Sequence, residues 1–186
     1  MADAGRGNNQ LDEEGYKMEA VAAMVLGAVL FMHAWQLFGL SQPKTTGIVG
    51  AAGAIVFASL LAWQPIAMVT KVGAAPFSTS VVVWAIYAAL VAAVGLWGFD
   101  ARGLGLYSIF GAVVMVGQMV YCTATIYVLV GLICGLIQAV AFAILFSYLA
   151  IPLARLRLPT AWVLLVVGVV HALLGAVILL KVPGLV

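Results

Sequence analysis

Charged residues divide this 186-residue chain into long apolar stretches. Beyond Glu19 the ionised side chains are few, namely Lys44, Lys71, Asp100, Arg102, Arg155, Arg157 and Lys181. A helix that crosses a bilayer needs about 20 mostly apolar residues. Four of the charge-free stretches each have room for one such helix, and the stretch between Arg102 and Arg155 has room for two. The pattern therefore predicts six transmembrane helices.

These helices are predicted to make up one membrane domain. The expected spans are Met18–Leu40, Gly47–Val69, Thr79–Gly98, Leu104–Val120, Thr125–Leu149 and Pro159–Leu180. The domain covers residues 18 to 181 and lies between a flexible acidic tail, residues 1 to 17, and a short C-terminal tail, residues 182 to 186.

Composition leads to the same fold class. The chain is 66% hydrophobic and 8% charged, which is more apolar surface than a soluble domain of this size can bury. Runs such as VVVWAIYAALVAAVGLW are apolar on every side, whereas a membrane β-barrel needs alternating apolar and polar residues. We therefore expect an all-α integral membrane protein.

The basic residues indicate how the helices are oriented. The odd-numbered turns carry Lys44, Arg102, Arg155 and Arg157, whereas the even-numbered turn and the C-terminal end carry Lys71 and Lys181. Because cytoplasmic loops are enriched in Lys and Arg, this bias predicts odd turns inside and both termini outside a plasma (inner) membrane. The basic residues form no patch, so no nucleic-acid partner is expected, and the lipid bilayer is the expected environment.

A repeated pattern surrounds the odd-numbered turns. LFGLSQPKTTGIVGAAGAIV and LWGFDARGLGLYSIFGAVVMV share a leucine-aromatic-glycine end, a short turn and a following helix rich in small residues. YLAIPLARLRLPTAWVLLVVG is a looser third copy. Three tandem hairpins of the same topology predict a bundle with an approximate threefold axis along the membrane normal. Such a bundle encloses a central path.

Polar side chains inside the predicted spans are sparse. No ionised residue lies in the middle of a span, which excludes the carboxylate relays of most proton-coupled pumps. The titratable candidates are His33 and His171, and the other polar candidates are Gln36, Gln118 and Gln138. His33 lies on a helical stripe of leucines, an arrangement typical of a narrow pore wall for small neutral solutes. The alternative is that each histidine only hydrogen-bonds to a neighbouring helix.

Nothing in the sequence indicates catalysis. It contains no paired intramembrane carboxylates, no nucleophile with a matching base and no histidine-rich metal motif. Cys122 and Cys134 are interpreted as ordinary small apolar residues rather than as a disulfide or a metal site. We therefore expect a protein that is not an enzyme and has no cofactor.

The first hairpin, VLGAVLFMHAWQLFGLSQPKTTGIVGAAGAI, has a recognisable pattern formed by Gly27, Val29, Leu30, Gly39, Pro43 and Lys44. This pattern resembles the opening signature of the UreI/AmiS family of urea and short-chain amide channels. FDARGLGLYS, from Phe99 to Ser108, looks like the family's third turn. Ile151-Pro152-Leu153 looks like its fifth turn, and Pro159 with Trp162 like the start of its last helix.

The resemblance implies a six-helix protomer with outward termini, a pore through each protomer, a hexameric ring and passive conduction of urea or small amides. His33 stands where the family usually has asparagine, and Val167 stands where it has a glutamate of the last helix. Leu136 and Val140 align with the family's pore tryptophans, and Trp84 aligns with a family aromatic residue.

From this alignment, and from the polar and aromatic residues of the predicted spans, we predict the residues that contact the solute in the pore. The pore width is set by Leu30, Leu136 and Val140. Hydrogen bonds are offered by His33 and His171, and flat surfaces by Trp84 and Tyr87. The predicted partners are a small neutral solute and further copies of the same chain.

Two other functions fit the sequence. One is a proton-linked carrier of a small acid or amine, which would use a histidine with its unperturbed pKa near neutral. Uptake that is saturable and depends on pH would separate a carrier from a channel. The other is a non-conducting membrane scaffold of the same fold, which would have no continuous opening and no flux of any solute.

Overall fold

The computed structural model describes residues 4–63, 74–123, 128–151 and 153–180. These ranges contain six α-helices and a single 3₁₀ turn, Ala154–Leu156, and none of their residues forms a strand. The helices are α1 (Ala4–Phe38), α2 (Pro43–Trp63), α3 (Ala74–Trp97), α4 (Ala101–Thr123), α5 (Val128–Leu149) and α6 (Arg157–Leu179). Each includes a segment long and apolar enough to cross a membrane. The prediction of an all-helical, multi-pass membrane fold is confirmed at this level.

The observed spans agree with the predicted ones to within a few residues where both are described. The apolar part of α1, for example, is Lys17–Phe38, against a predicted Met18–Leu40. Helix α2 begins at Pro43 rather than at Gly47, because proline has no N–H to lose and suits the first turn of a helix. The predicted end of this span at Val69 lies outside the described residues.

Helix α1 extends well beyond the membrane span on its N-terminal side. Its backbone is helical from Ala4, so the acidic segment that the sequence predicts as a flexible tail continues the span as a helix. Residues such as Gln10, Leu11 and Glu13 are good helix formers. Extending an existing helix by one residue also avoids the free-energy penalty of starting a new one.

The two similar turns end their helices in the same way. Gly39 follows α1 with φ of 83°, and Gly98 follows α3 with φ of 70°. A residue in this left-handed conformation commonly terminates a helix, and glycine adopts it without a steric penalty. The leucine-aromatic-glycine repeat therefore encodes one helix end used twice. The third copy has Ala150 instead and continues through the 3₁₀ turn.

The six helices form a closed ring in which each contacts the next and α6 contacts α1. Contacts are most extensive in the α1–α6, α2–α3 and α4–α5 pairs, which we call the three helix pairs. The members of each predicted hairpin, α1 with α2, α3 with α4 and α5 with α6, touch less. Successive hairpins are thus joined more closely than the two helices within one hairpin.

Glycine allows this close packing within each helix pair. A Cβ atom on Gly27 of α1 would lie 2.6 Å from the carbonyl oxygen of Gly168 in α6. One on Gly50 of α2 would lie 2.8 Å from the carbonyl oxygen of Ala88 in α3. In the α4–α5 pair, a Cβ on Gly111 would lie 2.9 Å from the Phe142 ring. Small residues let helix backbones approach closely in lipid, where the hydrophobic effect does not press helices together.

Candidate functional site

A set of polar side chains is buried at the centre of the helix ring. It consists of His33 on α1, Trp84 and Tyr87 on α3, Gln138 on α5 and His171 on α6, which we call the central polar network. Each of these side chains is at most 8% exposed. They are surrounded by the apolar core, so the hydrogen bonds seen in the structure join them to one another or to the backbone.

Helical spacing brings these residues to the interior. Trp84 and Tyr87 are three residues apart on α3 and therefore share one face. Gln138 and Phe142 are four residues apart on α5 and share a face in the same way. The Phe142 ring is fully buried against these neighbours, in the space that Gly111 leaves by having no side chain.

Hydrogen bonds connect the network across the ring. His33 Nδ1 lies 2.6 Å from the Tyr87 hydroxyl oxygen. Trp84 Nε1 donates to Gln138 Oε1 at 2.9 Å, and Gln138 Nε2 lies 3.1 Å from His171 Nε2. His171 Nδ1 lies 2.8 Å from the carbonyl oxygen of Val167, one turn earlier on α6. The chain of contacts thus runs from α3 through α5 to α6.

The direction of these hydrogen bonds follows from the donors and acceptors available. The Val167 carbonyl can only accept, so His171 Nδ1 must carry the hydrogen. A neutral imidazole has one ring hydrogen, which makes His171 Nε2 the acceptor of a bond from Gln138. The other end of the Gln138 amide is then the oxygen, as the Trp84 N–H requires. The Trp84 N–H, the Gln138 NH₂ group and the His171 Nδ1–H therefore each have an acceptor.

Aromatic rings fill the space beside the polar groups. Trp84 stacks on Phe142 with ring centroids 4.4 Å apart and planes at 21°. Tyr87 meets Trp84 edge-on at 5.2 Å and Phe142 edge-on at 5.7 Å. The rings of Trp84 and Phe142 are in van der Waals contact, so no solute fits between them in this conformation.

Five of the seven predicted pore residues lie in this region. The four side chains His33, Trp84, Tyr87 and His171 belong to the network itself. Leu30 is fully buried one turn from His33, and its Cβ lies 3.3 Å from the position of a Cβ added to Gly168.

The other two predicted residues lie elsewhere. Leu136 is 54% exposed and Val140 is 48% exposed, on the outer surface of α5. Each is two residues from Gln138, which corresponds to about 200° around the helix and hence to the opposite face. Val140 instead lines an outer groove of about 370 Å³ between α4 and α5. The structure therefore separates these two residues from the other predicted contacts.

Sequence reasoning left Gln138 and Phe142 out of the predicted contacts. Gln138 bonds to both Trp84 and His171, and Phe142 packs on Trp84 and Tyr87. A usable signal for Gln138 was present, because it is a polar residue in an otherwise apolar span. Phe142 carries no such signal, since one more aromatic residue in an apolar helix is expected from composition alone.

The described part of the chain contains no cluster of three or more His, Cys, Asp or Glu residues that could hold a metal ion. Comparison with protein-family models found no match, and comparisons with curated proteins and with solved structures found no significant match either. The resemblance to urea and amide channels therefore depends on the sequence segments quoted above.

Proposed function

We propose that this protein is a membrane channel that passively conducts a small neutral solute, such as urea or a short-chain amide, through each protomer. The observation that carries the proposal is the central polar network, buried inside a ring of mostly apolar helices. Polar groups at membrane depth are unfavourable unless they have partners, and they commonly mark solute pathways.

The chemistry of the network suits a solute that both donates and accepts hydrogen bonds. His33 and His171 offer ring nitrogens, Gln138 offers an amide, and Trp84 and Tyr87 offer an N–H and a hydroxyl. An amide can exchange its hydrogen bonds with water for bonds to these groups one at a time. Selectivity of this kind depends on pore diameter and on where donors and acceptors are placed.

His33 is the strongest candidate for direct contact with the solute. Within the described residues, His33 uses Nδ1 for its hydrogen bond to Tyr87. The other ring nitrogen, Nε2, is the atom that a solute would contact. None of the network side chains carries a fixed charge, so an ion would lose its hydration shell without compensation.

The proposal includes an arrangement of the chain in the membrane. The three hairpins surround the path, both termini lie outside the plasma membrane, and six protomers form a closed ring. Support for the hairpin repeat comes from Gly39 and Gly98, which end α1 and α3 with the same backbone conformation. Support for a path enclosed by the helices comes from the order of helix contacts, in which each helix contacts the next and α6 contacts α1.

One observation favours a second candidate, the non-conducting scaffold. The rings of Trp84 and Phe142 stack 4.4 Å apart beside the network, and both side chains are buried, so this conformation leaves no gap between them. A channel with this conformation must open for each passing solute, whereas a scaffold would stay closed.

Solute flux decides between the two candidates. Proteoliposomes are mixed with hyperosmotic urea, acetamide or sodium chloride in a stopped-flow instrument, and their volume recovery is followed by light scattering. The channel proposal predicts faster recovery with urea and acetamide than in protein-free liposomes, and no gain with the salt. Recovery at the protein-free rate for every neutral solute would support the scaffold and reject the channel.

A further inference from the structure

Hydrogen bonds between side chains of the network always join different helix pairs. His33 belongs to the α1–α6 pair and bonds to Tyr87 of the α2–α3 pair. Outside the network, the Tyr107 hydroxyl on α4 donates to the Val83 carbonyl on α3 at 2.7 Å, again between pairs. Glycines thus bring the helices of each pair close together, while the side-chain bonds of the network join one pair to the next. The three pairs are therefore the natural rigid units of the ring.

Gln138 joins all three pairs through one side chain. It belongs to the α4–α5 pair, its oxygen accepts from Trp84 of the α2–α3 pair, and its nitrogen donates to His171 of the α1–α6 pair. Both ends of its amide are occupied, and the side chain is 8% exposed. Movement of any pair away from the centre must break at least one of these bonds.

The groups around Gln138 also form a recognition site for a primary amide. The Trp84 N–H points at the carbonyl oxygen, and the lone pair of His171 Nε2 accepts from the NH₂ group. The tautomer of His171 is set independently, by the bond from Nδ1 to the Val167 carbonyl. A free primary amide presents the same two functional groups as the Gln138 side chain.

We propose that Gln138 is the gate of the channel: its own carboxamide occupies the amide-binding position between Trp84 and His171, and a solute amide must displace it to pass. This inference deepens the proposed function and depends on it for its role in transport. The binding site itself does not require transport, which allows the two to be tested separately.

The direct test is amide binding to a variant from which the gate has been removed. Gln138→Ala leaves the Trp84 N–H and the His171 Nε2 facing an empty space the size of a small amide. Acetamide at about ten times its Kd should raise the midpoint of thermal unfolding of this variant in detergent by about 3–6 °C. N,N-dimethylacetamide has no N–H for His171 and should leave the midpoint unchanged.

The matched control is Gln138→Met, which removes the same hydrogen bonds but keeps the space filled. Acetamide should not stabilise this variant or the parent. If acetamide stabilises all three proteins equally, or none of them, or if the dimethyl compound acts like acetamide on Gln138→Ala, the amide site is rejected.

Flux through Gln138→Met provides a second measurement should the alanine variant fail to fold. Loss of the closing bonds should raise urea flux at least twofold over the parent, whereas Tyr107→Phe, which removes a peripheral bond between pairs, should not change it. Unchanged or lower flux in Gln138→Met would reject the gate. If acetamide binds to Gln138→Ala but the parent shows no flux, the amide site is supported and the channel is rejected. If the parent conducts urea but Gln138→Ala binds no acetamide and Gln138→Met has no effect on flux, the channel is supported and the gate is rejected.

Discussion

At the scale of single residues, the centre of the molecule depends on buried polar atoms that bond to one another. Gln138 illustrates this, because its side chain is buried and both the carbonyl oxygen and the NH₂ group of its amide have partners. Removing one partner from a buried pair leaves the other unsatisfied, which typically costs about 1–3 kcal/mol. The network should therefore contribute to stability, whatever its role in transport.

Trp84→Phe tests this contribution. The substitution keeps an aromatic ring beside Phe142 but removes the N–H that Gln138 Oε1 accepts. We expect the free energy of unfolding to fall by about 1–3 kcal/mol, measured by denaturant titration in mixed micelles. The control is Trp162→Phe, at a side chain that is 58% exposed, with an expected change within about 0.5 kcal/mol. Equal effects of the two substitutions would show that the Trp84 N–H adds nothing to stability.

At the scale of helices, the six spans were predictable from sequence but their pairing was not. Long apolar runs separated by charges define the spans, because the bilayer sets a minimum length. The same runs are apolar on every face, so they do not indicate which side of a helix meets which neighbour. The close pairs α1–α6, α2–α3 and α4–α5 follow from individual glycines meeting backbone atoms of a partner helix. Such complementarity is a property of two surfaces and is not visible in one segment.

The candidate site shows the same division. The histidines were predictable because polar residues stand out in apolar helices. Leu136 and Val140 were selected by alignment with another family's tryptophans, yet they lie on the outer surface of α5. Their position around the helix relative to Gln138 would have shown that they face outward, because residues two apart on a helix face nearly opposite sides. This reasoning requires that one inward-facing residue of the helix is already known.

Gly27→Ala tests the glycine contacts of the α1–α6 pair. The added methyl group would lie 2.6 Å from the Gly168 carbonyl oxygen, so the two helices must separate. We expect a loss of about 1–3 kcal/mol of stability from overpacking, seen as a lower midpoint of thermal unfolding. Gly117→Ala is the matched control within a helix, because an added Cβ there has no atom within 4 Å. Alanine also favours helix over glycine by about 1 kcal/mol, so a stabilising Gly27→Ala would contradict close packing of this pair.

At the scale of the whole molecule, the proposed orientation in the membrane rests on the basic residues. Lys44, Arg102, Arg155 and Arg157 lie in odd-numbered turns, which the positive-inside bias assigns to the cytoplasm. Arg157 has an additional structural contact, since its Nε donates to the Leu37 carbonyl near the end of α1 at 2.7 Å. That bond ties the start of α6 to the end of α1 on the proposed cytoplasmic side.

Cysteine labelling in intact cells tests this orientation. In a background without Cys122 and Cys134, a membrane-impermeant maleimide should label Asn8→Cys from outside and Thr45→Cys only after the cells are opened. The reason is that Asn8 belongs to the acidic N-terminal segment and Thr45 to the first turn of α2, at the opposite end of the α1 span. Labelling of Thr45→Cys in intact cells would reverse the topology.

The central claim is that a small neutral solute passes through the protomer and contacts the polar network at His33. Stopped-flow urea flux in proteoliposomes of matched protein content tests it by comparing the parent with His33→Asn and His33→Leu. Asparagine can still donate and accept, so His33→Asn should conduct like the parent. His33→Leu should slow flux about 5- to 150-fold, because the solute loses a replacement hydrogen bond that stabilises it by roughly 1–3 kcal/mol. Parental flux in a folded His33→Leu variant would contradict the claim and exclude this residue from the path.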